Sequence, residues 1–419
     1  MNVVLLVWDD IGVDGLSCYY PGLAGIGTTK YIDARSKTGV RFRKHTNSPV
    51  CSPFRAEVLT GKKAYRSGIG TVTNSSDGVA LDPAIPTIAS TLQNAGYRTH
   101  AVGKWHLTPP GYTNLPLHPV ACGFQSWQGV PLNPSSYSSY SWGDSTTNTV
   151  INKSDVYLTE YTTDVGISHI AGSEPFFIYM CYNAAHAPFH CPPAHHSGCG
   201  DMSDNAYFKA MRENLDYETE RFLNALNPAN TIVIMTTDNG TPQGIDLHGY
   251  DPDLVKGRTF LGGVRCPMII WGPGIPSNRT CDALTHASDV TATILDLLGL
   301  SAMPSAVDGI SFKDNLLDPS LPSKRVYSYS EVFAFNGIPH NIILHNQCAE
   351  DSKYHLVKDS TLGYLMFDTN KDPFERNPLD FTKLTPDQRR RQFRLMEVIE
   401  SFGVMPDPIF SISGVEITP

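Results

Sequence analysis

Five short apolar runs recur along the chain, at Val3 to Trp8, Arg98 to Val102, Phe176 to Tyr182, Thr231 to Thr236 and Pro267 to Trp271. Each has the length of a strand. Between them lie stretches with helical spacing: Pro86 to Ala95 closed by Gly96, Asn205 to Leu226 with Met211, Leu215, Phe222 and Leu226 on one face, and Ser288 to Leu298 closed by Gly299. Strands alternating with helices in this way specify an α/β fold, a large, mainly parallel sheet flanked by helices. Ligands of such sheets bind beyond the carboxyl ends of the strands. Polar residues collect there: Asp9 and Asp10 after the first run, Lys104 and His106 after the second, His186 after the third, Asp238 and Asn239 after the fourth.

A linker-like stretch, Asp318 to Ser323, divides the chain into an expected catalytic unit, residues 1–322, and a C-terminal subdomain, residues 323–419. In the latter, Val326 to Val332, Asn341 to Leu344, Lys353 to Lys358 and Tyr364 to Asp368 alternate like antiparallel strands, and Pro386 to Phe402 reads as a helix, a smaller α+β unit. The segment Gly111 to Asn152 is rich in Gly, Pro, Ser, Thr, Tyr and Trp and lacks a clear period, so it is expected to run as a long loop over the rim.

A net charge of −9 argues against nucleic-acid and membrane-surface partners. No apolar run is long enough to span a bilayer, and the opening run lacks the basic flank of a signal peptide. The expected location is cytoplasmic; the same residues would suit a periplasmic or secreted protein whose leader had been removed. Nine scattered cysteines suit reduced thiols. The cluster His186, His190, Cys191, His195, His196 and Cys199 matches no standard zinc spacing and reads as a loop.

Three carboxylates and an amide, Asp9, Asp10, Asp238 and Asn239, are hard oxygen ligands suited to Ca2+, with Mg2+ as the alternative. Taken singly, such residues are turns or caps. Cys51 stands just before an expected helix with Ser52 as cap, Pro53 at the first helical position and Gly61 as terminator. A helix N-terminus with Arg55 one turn on favours a bound anion and a lowered thiol pKa.

Cys51, Pro53 and Arg55, followed by Leu59-Thr60-Gly61, resemble the sulfatase signature, which commonly has a small residue where this chain has Phe54. The blocks Gly103-Lys104-Trp105-His106, His186-Ala187-Pro188-Phe189, Lys256 through Gly262-Gly263 to Arg265 and Pro267, and Asp372-Pro373-Phe374-Glu375 resemble further sulfatase segments in the family's order. The resemblance implies an alkaline-phosphatase-like fold and a sulfuric ester hydrolase. It also implies formylglycine derived from Cys51 by a formylglycine-generating enzyme, and a divalent metal held by Asp9, Asp10, Cys51, Asp238 and Asn239. In that scheme Arg55, Lys104 and Lys256 hold sulfate, His186 with Lys256 protonates the leaving alcohol, and His106 is the base that releases sulfate from the aldehyde hydrate. The substrate class is a small-molecule or carbohydrate sulfate ester, its alcohol left open, as is the oligomeric state. The same parts would serve a phosphonate monoester or phosphodiester hydrolase, and an unconverted Cys51 would leave a non-catalytic anion-binding protein.

Overall fold

The computed structural model describes the chain apart from residues 24–27, 75–76, 173–174, 194–198, 200–201, 304–305, 307, 338–343 and 403–419. Ten strands make one sheet: β1 (Asn2–Trp8), β2 (Val40–Thr46), β3 (Arg98–Gly103), β4 (Ser126–Gly129), β5 (Ser139–Asp144), β6 (Thr149–Ser154), β7 (Phe176–Cys181), β8 (Thr231–Thr237), β9 (Met268–Trp271) and β10 (Arg279–His286), in the order β10-β2-β9-β8-β1-β7-β3-β4-β5-β6. The centre is parallel, with β1 between β7 and β8 and β3 on the far side of β7. Strand β9 runs antiparallel to both its neighbours, and β5 and β6 form an antiparallel edge.

Why the central runs are apolar throughout follows from their place. Val3, Leu5 and Val7 enter one core with Phe54, Phe177 and Ile234. Val4, Leu6 and Trp8 enter the other, against Met211, Leu215 and Phe222 of the helix Asp204–Asn224. Both faces of β1 are therefore covered, and each fully buried aliphatic side chain contributes about 2 kcal/mol. Register aligns the ends: Trp8 pairs with Thr237 and Val7 with Cys181, so the residues following β1, β7 and β8 emerge on one rim.

The segment expected as a rim loop instead extends the sheet. Strand β4 pairs with β3 in parallel, and β5 and β6 form a hairpin outside it. These strands alternate little because β6 is solvent-exposed and β5 only half covered. Beyond the large sheet, β11 (Ser328–Ala334), β12 (Leu344–Glu350), β13 (Tyr354–Asp359) and β14 (Gly363–Asp368) form an antiparallel meander packed by the helix Pro386–Ser401. Most of the second strand expected there, Asn341 to Ile343, lies outside the described residues; the strand described begins at Leu344.

The expectation of reduced thiols fails at one pair. Cys191 and Cys199 form a disulfide in the loop after β7. The two cysteines are eight positions apart in sequence with Cα atoms 5.9 Å apart, a pairing that nine widely scattered cysteines do not announce. The other seven cysteines are free.

Candidate active site

Cys51 is the first residue of the helix Cys51–Thr60, which is buried along its whole length and ends at Gly61 in the left-handed conformation, φ 67°. Val50, not Ser52, is the N-cap, and it supplies no side-chain bond. Ser52 Oγ accepts instead from the Thr73 amide at 3.1 Å, and Pro53 sits within the first turn, where no intrahelical N–H is lost. Phe54 points into the main hydrophobic core and is fully buried, away from the polar cluster. The bulky residue at this signature position is thus a packing residue.

Around the sulfur the expected groups converge. Lys104 Nζ lies 3.4 Å from Cys51 Sγ, and Asp9 Oδ1 lies 4.0 Å from it. Arg55 Nη2 reaches Asp9 at 3.0 Å and Asp238 at 3.1 Å, while its Nη1 donates to the Lys104 carbonyl at 3.0 Å. Lys104 Nζ meets Asp9 at 2.5 Å. Asp10 receives Lys256 Nζ at 2.7 Å and Asn239 Nδ2 at 2.8 Å, and its amide donates to Asp238 Oδ1 at 3.0 Å. His186 Nε2 stands 3.7 Å from Asp10, with its Nδ1 2.7 Å from the Ala187 carbonyl. Asp10 and His106 both hold left-handed backbone conformations, φ 61° and 53°, which a non-glycine residue adopts only where its surroundings hold it there.

Glycines let the loops meet. A Cβ on Gly240 would lie 1.8 Å from the Gly262 carbonyl, so the turn after Asn239 can abut the short helix Leu261–Val264 only without one. Gly263 has its own constraint: a Cβ there would lie 2.0 Å from the Arg258 carbonyl.

Burial dominates the electrostatics. It raises the Asp9 carboxyl to about 7, with Asp238 the next contributor. For Asp10 burial is outweighed by Lys256, His186 and Lys104, which hold the carboxyl well below its usual range. Lys104 and Lys256 stay charged because Asp9 and Asp10, respectively, more than offset their burial. Burial also pushes His186 down to about 4 and His106 well below its ordinary value, so both imidazoles are neutral. The thiol runs against the sequence expectation: burial first, then Asp238, pushes Cys51 up to about 12, since Arg55 is already engaged by Asp9 and Asp238.

The donor set fits a divalent cation. Asp9, Asp10, Cys51 and His186 offer atoms all within 4.8 Å of one another. Asn239 Oδ1, fully buried, has no hydrogen-bond partner, and one of three crowded carboxylates is only partly ionised at neutral pH. A hard cation answers both deficits.

Sequence reasoning missed Asp14 and Thr241. Thr241 Oγ1 donates to Asp14 Oδ1 at 2.8 Å and accepts from the Gly12 amide at 3.2 Å, tying the loop after Asp9-Asp10 to the loop after Asp238-Asn239. Their proximity to the paired acids was the available signal; short polar residues beside a turn are otherwise uninformative.

Fold and site together define a class, and comparison bears it out: residues 1–300 match the Sulfatase family model, and the chain belongs to that family, whose members hydrolyse sulfate esters. Among its relatives, the N-acetylgalactosamine-6-sulfatase of Canis lupus familiaris is 30% identical over 375 residues, covering 78% of this chain and 68% of that one. The arylsulfatase of Hemicentrotus pulcherrimus is 28% identical, covering 78% and 64%. A sulfatase from Pseudoalteromonas sp. superposes with a TM-score of 0.74 at 20% identity, covering 97% of this chain and 91% of that one. A protein solved with its substrate D-glucosamine-2-N,6-O-disulfate superposes at 0.72, also with 20% identity, covering 96% and 97%.

Proposed function

We propose that this sulfatase cleaves the S–O bond of a carbohydrate sulfate monoester, using formylglycine at position 51 and a divalent cation, Ca2+ in the first instance. The observation that carries the reading is the convergence of Asp9, Asp10, Asp238 and Asn239 beside residue 51, flanked by three cations. The substrate class is supported by the N-acetylgalactosamine-6-sulfatases among the relatives and by the neighbour solved with a sulfated glucosamine.

Bound among those four side chains, the cation would supply Lewis-acid charge beside the aldehyde hydrate that conversion of Cys51 provides. The chain's own residues do the rest. Arg55 and Lys104 neutralise the buried acids and hold the negative charge that shifts across the sulfuryl oxygens, an electrostatic contribution of about 3 kcal/mol per donor. Lys256 and His186 are the partly exposed members of the cluster and mark the side from which substrate enters. They face the ester oxygen: Lys256 donates a hydrogen bond, and His186, whose Nδ1 faces the Ala187 carbonyl, takes up a proton at Nε2 beside the bound anionic ester and gives it to the departing alcohol. His106 Nδ1, buried and without a partner, accepts the proton whose removal frees sulfate.

The test is co-expression with a formylglycine-generating enzyme, mass spectrometry of the peptide carrying residue 51, and assay on sulfated hexosamines, an aryl sulfate and an aryl phosphonate. Thiol-to-aldehyde conversion with sulfated-sugar turnover is expected, together with a loss on the order of 10⁴-fold or more in Cys51→Ala. A retained thiol without hydrolysis would make the protein an anion binder. Phosphonate turnover far above sulfate turnover would overturn the substrate assignment.

A further inference from the structure

Two backbone carbonyls converge on one hydroxyl at the foot of the turn that carries His186. Tyr137 Oη lies 2.5 Å from the Asn183 carbonyl and 2.8 Å from that of His186, in a side chain only 2% exposed. From the opposite side the same turn is laced to β1: the Asp9 amide donates to the Ala184 carbonyl at 3.0 Å, and the Ala185 amide to the Asp9 carbonyl at 2.9 Å. Within the turn the His186 amide donates to the Asn183 carbonyl at 3.0 Å.

Tyr137 is itself fixed. Its carbonyl accepts from the Leu158 amide at 2.8 Å, and its ring packs on His190 with centroids 4.7 Å apart. It comes from the polar segment ahead of β5, which supplies none of the metal or sulfate ligands assigned above. That segment nonetheless reaches across the rim to the His186 turn.

We propose that Tyr137 is the positioning residue for the leaving-group acid: its hydroxyl holds the Asn183–His186 turn so that His186 Nε2 faces the ester oxygen. The inference rests on the sulfatase reading of His186. As the S–O bond breaks, its electron pair stays on the leaving oxygen, which takes the proton that Nε2 acquired from solvent when the anionic ester bound, and departs as a neutral alcohol while His186 returns to the neutral form with Nδ1 on the Ala187 carbonyl. A nitrophenolate leaves readily without that proton; a sugar alkoxide does not. Removing the Tyr137 hydroxyl strands the His186 carbonyl and lets the turn shift, so the loss falls on esters with poor leaving groups.

The experiment measures kcat and KM for the matured enzyme, Tyr137→Phe, His186→Ala and the double variant on 4-nitrophenyl sulfate and on a sulfated hexosamine. For Tyr137→Phe the expectation is a roughly 10- to 100-fold fall in kcat on the sugar ester and less than about a twofold change on the aryl ester. Adding it to His186→Ala should cause no further loss on the sugar ester. Equal losses on both esters, no loss on either, or losses that multiply in the double variant would overturn the proposal. If His186→Ala itself shows no leaving-group dependence, the acid assignment fails instead. Tyr137→Met, also without the hydroxyl, gives the same readout should the Phe variant not accumulate.

Discussion

At residue scale the cluster is a balance that the protein leaves unfinished. Asp9, Asp10 and Asp238 bring three carboxylates into a fully buried space with Arg55, Lys104 and Lys256 around them. The charges nominally cancel, yet Asp9 rises to about 7 because burial and Asp238 outweigh its two cations. Cys51, at about 12, is a neutral thiol in this setting, a poor nucleophile without chemical conversion. Next to it, Phe54 has a separate task. Its ring fills the core beneath the helix, so Phe54→Ser, which restores a family-like small residue, should cost about 3 kcal/mol in chemical denaturation. Little or no loss would mean that the ring is not a packing element.

At the scale of elements, the C-terminal segment reaches the site through Glu375. Its Oε2 accepts from the Leu261 amide at 2.6 Å, at the start of the short helix after Lys256, and its Oε1 meets His355 Nδ1 of β13 at 2.5 Å. The Glu375 carboxylate, against the opposing effect of burial, raises His355 to about 10 from an ordinary 6.5. A folded-state pKa above the unfolded one adds stability that is complete below about 6.5 and fades as pH climbs towards 10. The stability gap between wild type and His355→Gln should therefore be widest near pH 6, at about 3 kcal/mol, and narrow steadily above pH 7. Denaturant titrations across that range check it, and a gap independent of pH would show that the imidazole is not held charged.

The legible elements share one property. Strands β1, β3, β7, β8 and β9 were readable because they lie inside the sheet and are buried residue after residue. Strands β2 and β10 escaped notice because Arg41, Arg43, Lys44, Arg279 and Asp282 interrupt their apolar pattern; Arg43 pairs with Asp282 across the two strands, and Lys44 reaches the Ser352 carbonyl. The hairpin β5–β6 was hidden for a similar reason. In the site, the long-range partners Asp9, Asp10, Asp238 and Asn239 were visible as strand-end polar groups. Tyr137 and Asp14 were not, since their importance lies in contacts to backbone and to a threonine that no local pattern encodes.

For the whole molecule, the parallel sheet is what assembles the centre: β1, β3, β7 and β8 end on one rim, and the helix from Cys51 is driven up to it by its apolar flank. The C-terminal meander docks behind that rim through Arg265 with Glu350, Lys63 Nζ on the Tyr329 carbonyl at 2.6 Å, and the Tyr65 amide on Glu331 at 3.0 Å. These contacts brace β2 and the loops downstream of Cys51. The central claim is that two segments far apart in the chain, Asp9-Asp10 and Asp238-Asn239, hold one cation opposite residue 51, and a crystal structure of the calcium-loaded protein addresses it most directly. A single ion bonded to Asp9, Asp10, Asp238 and Asn239 at about 2.3–2.6 Å, with Asn239 Oδ1 turned onto it, is the expected result. An ion bound elsewhere, or none at saturating calcium with the three carboxylates still paired to Arg55, Lys104 and Lys256, would contradict it.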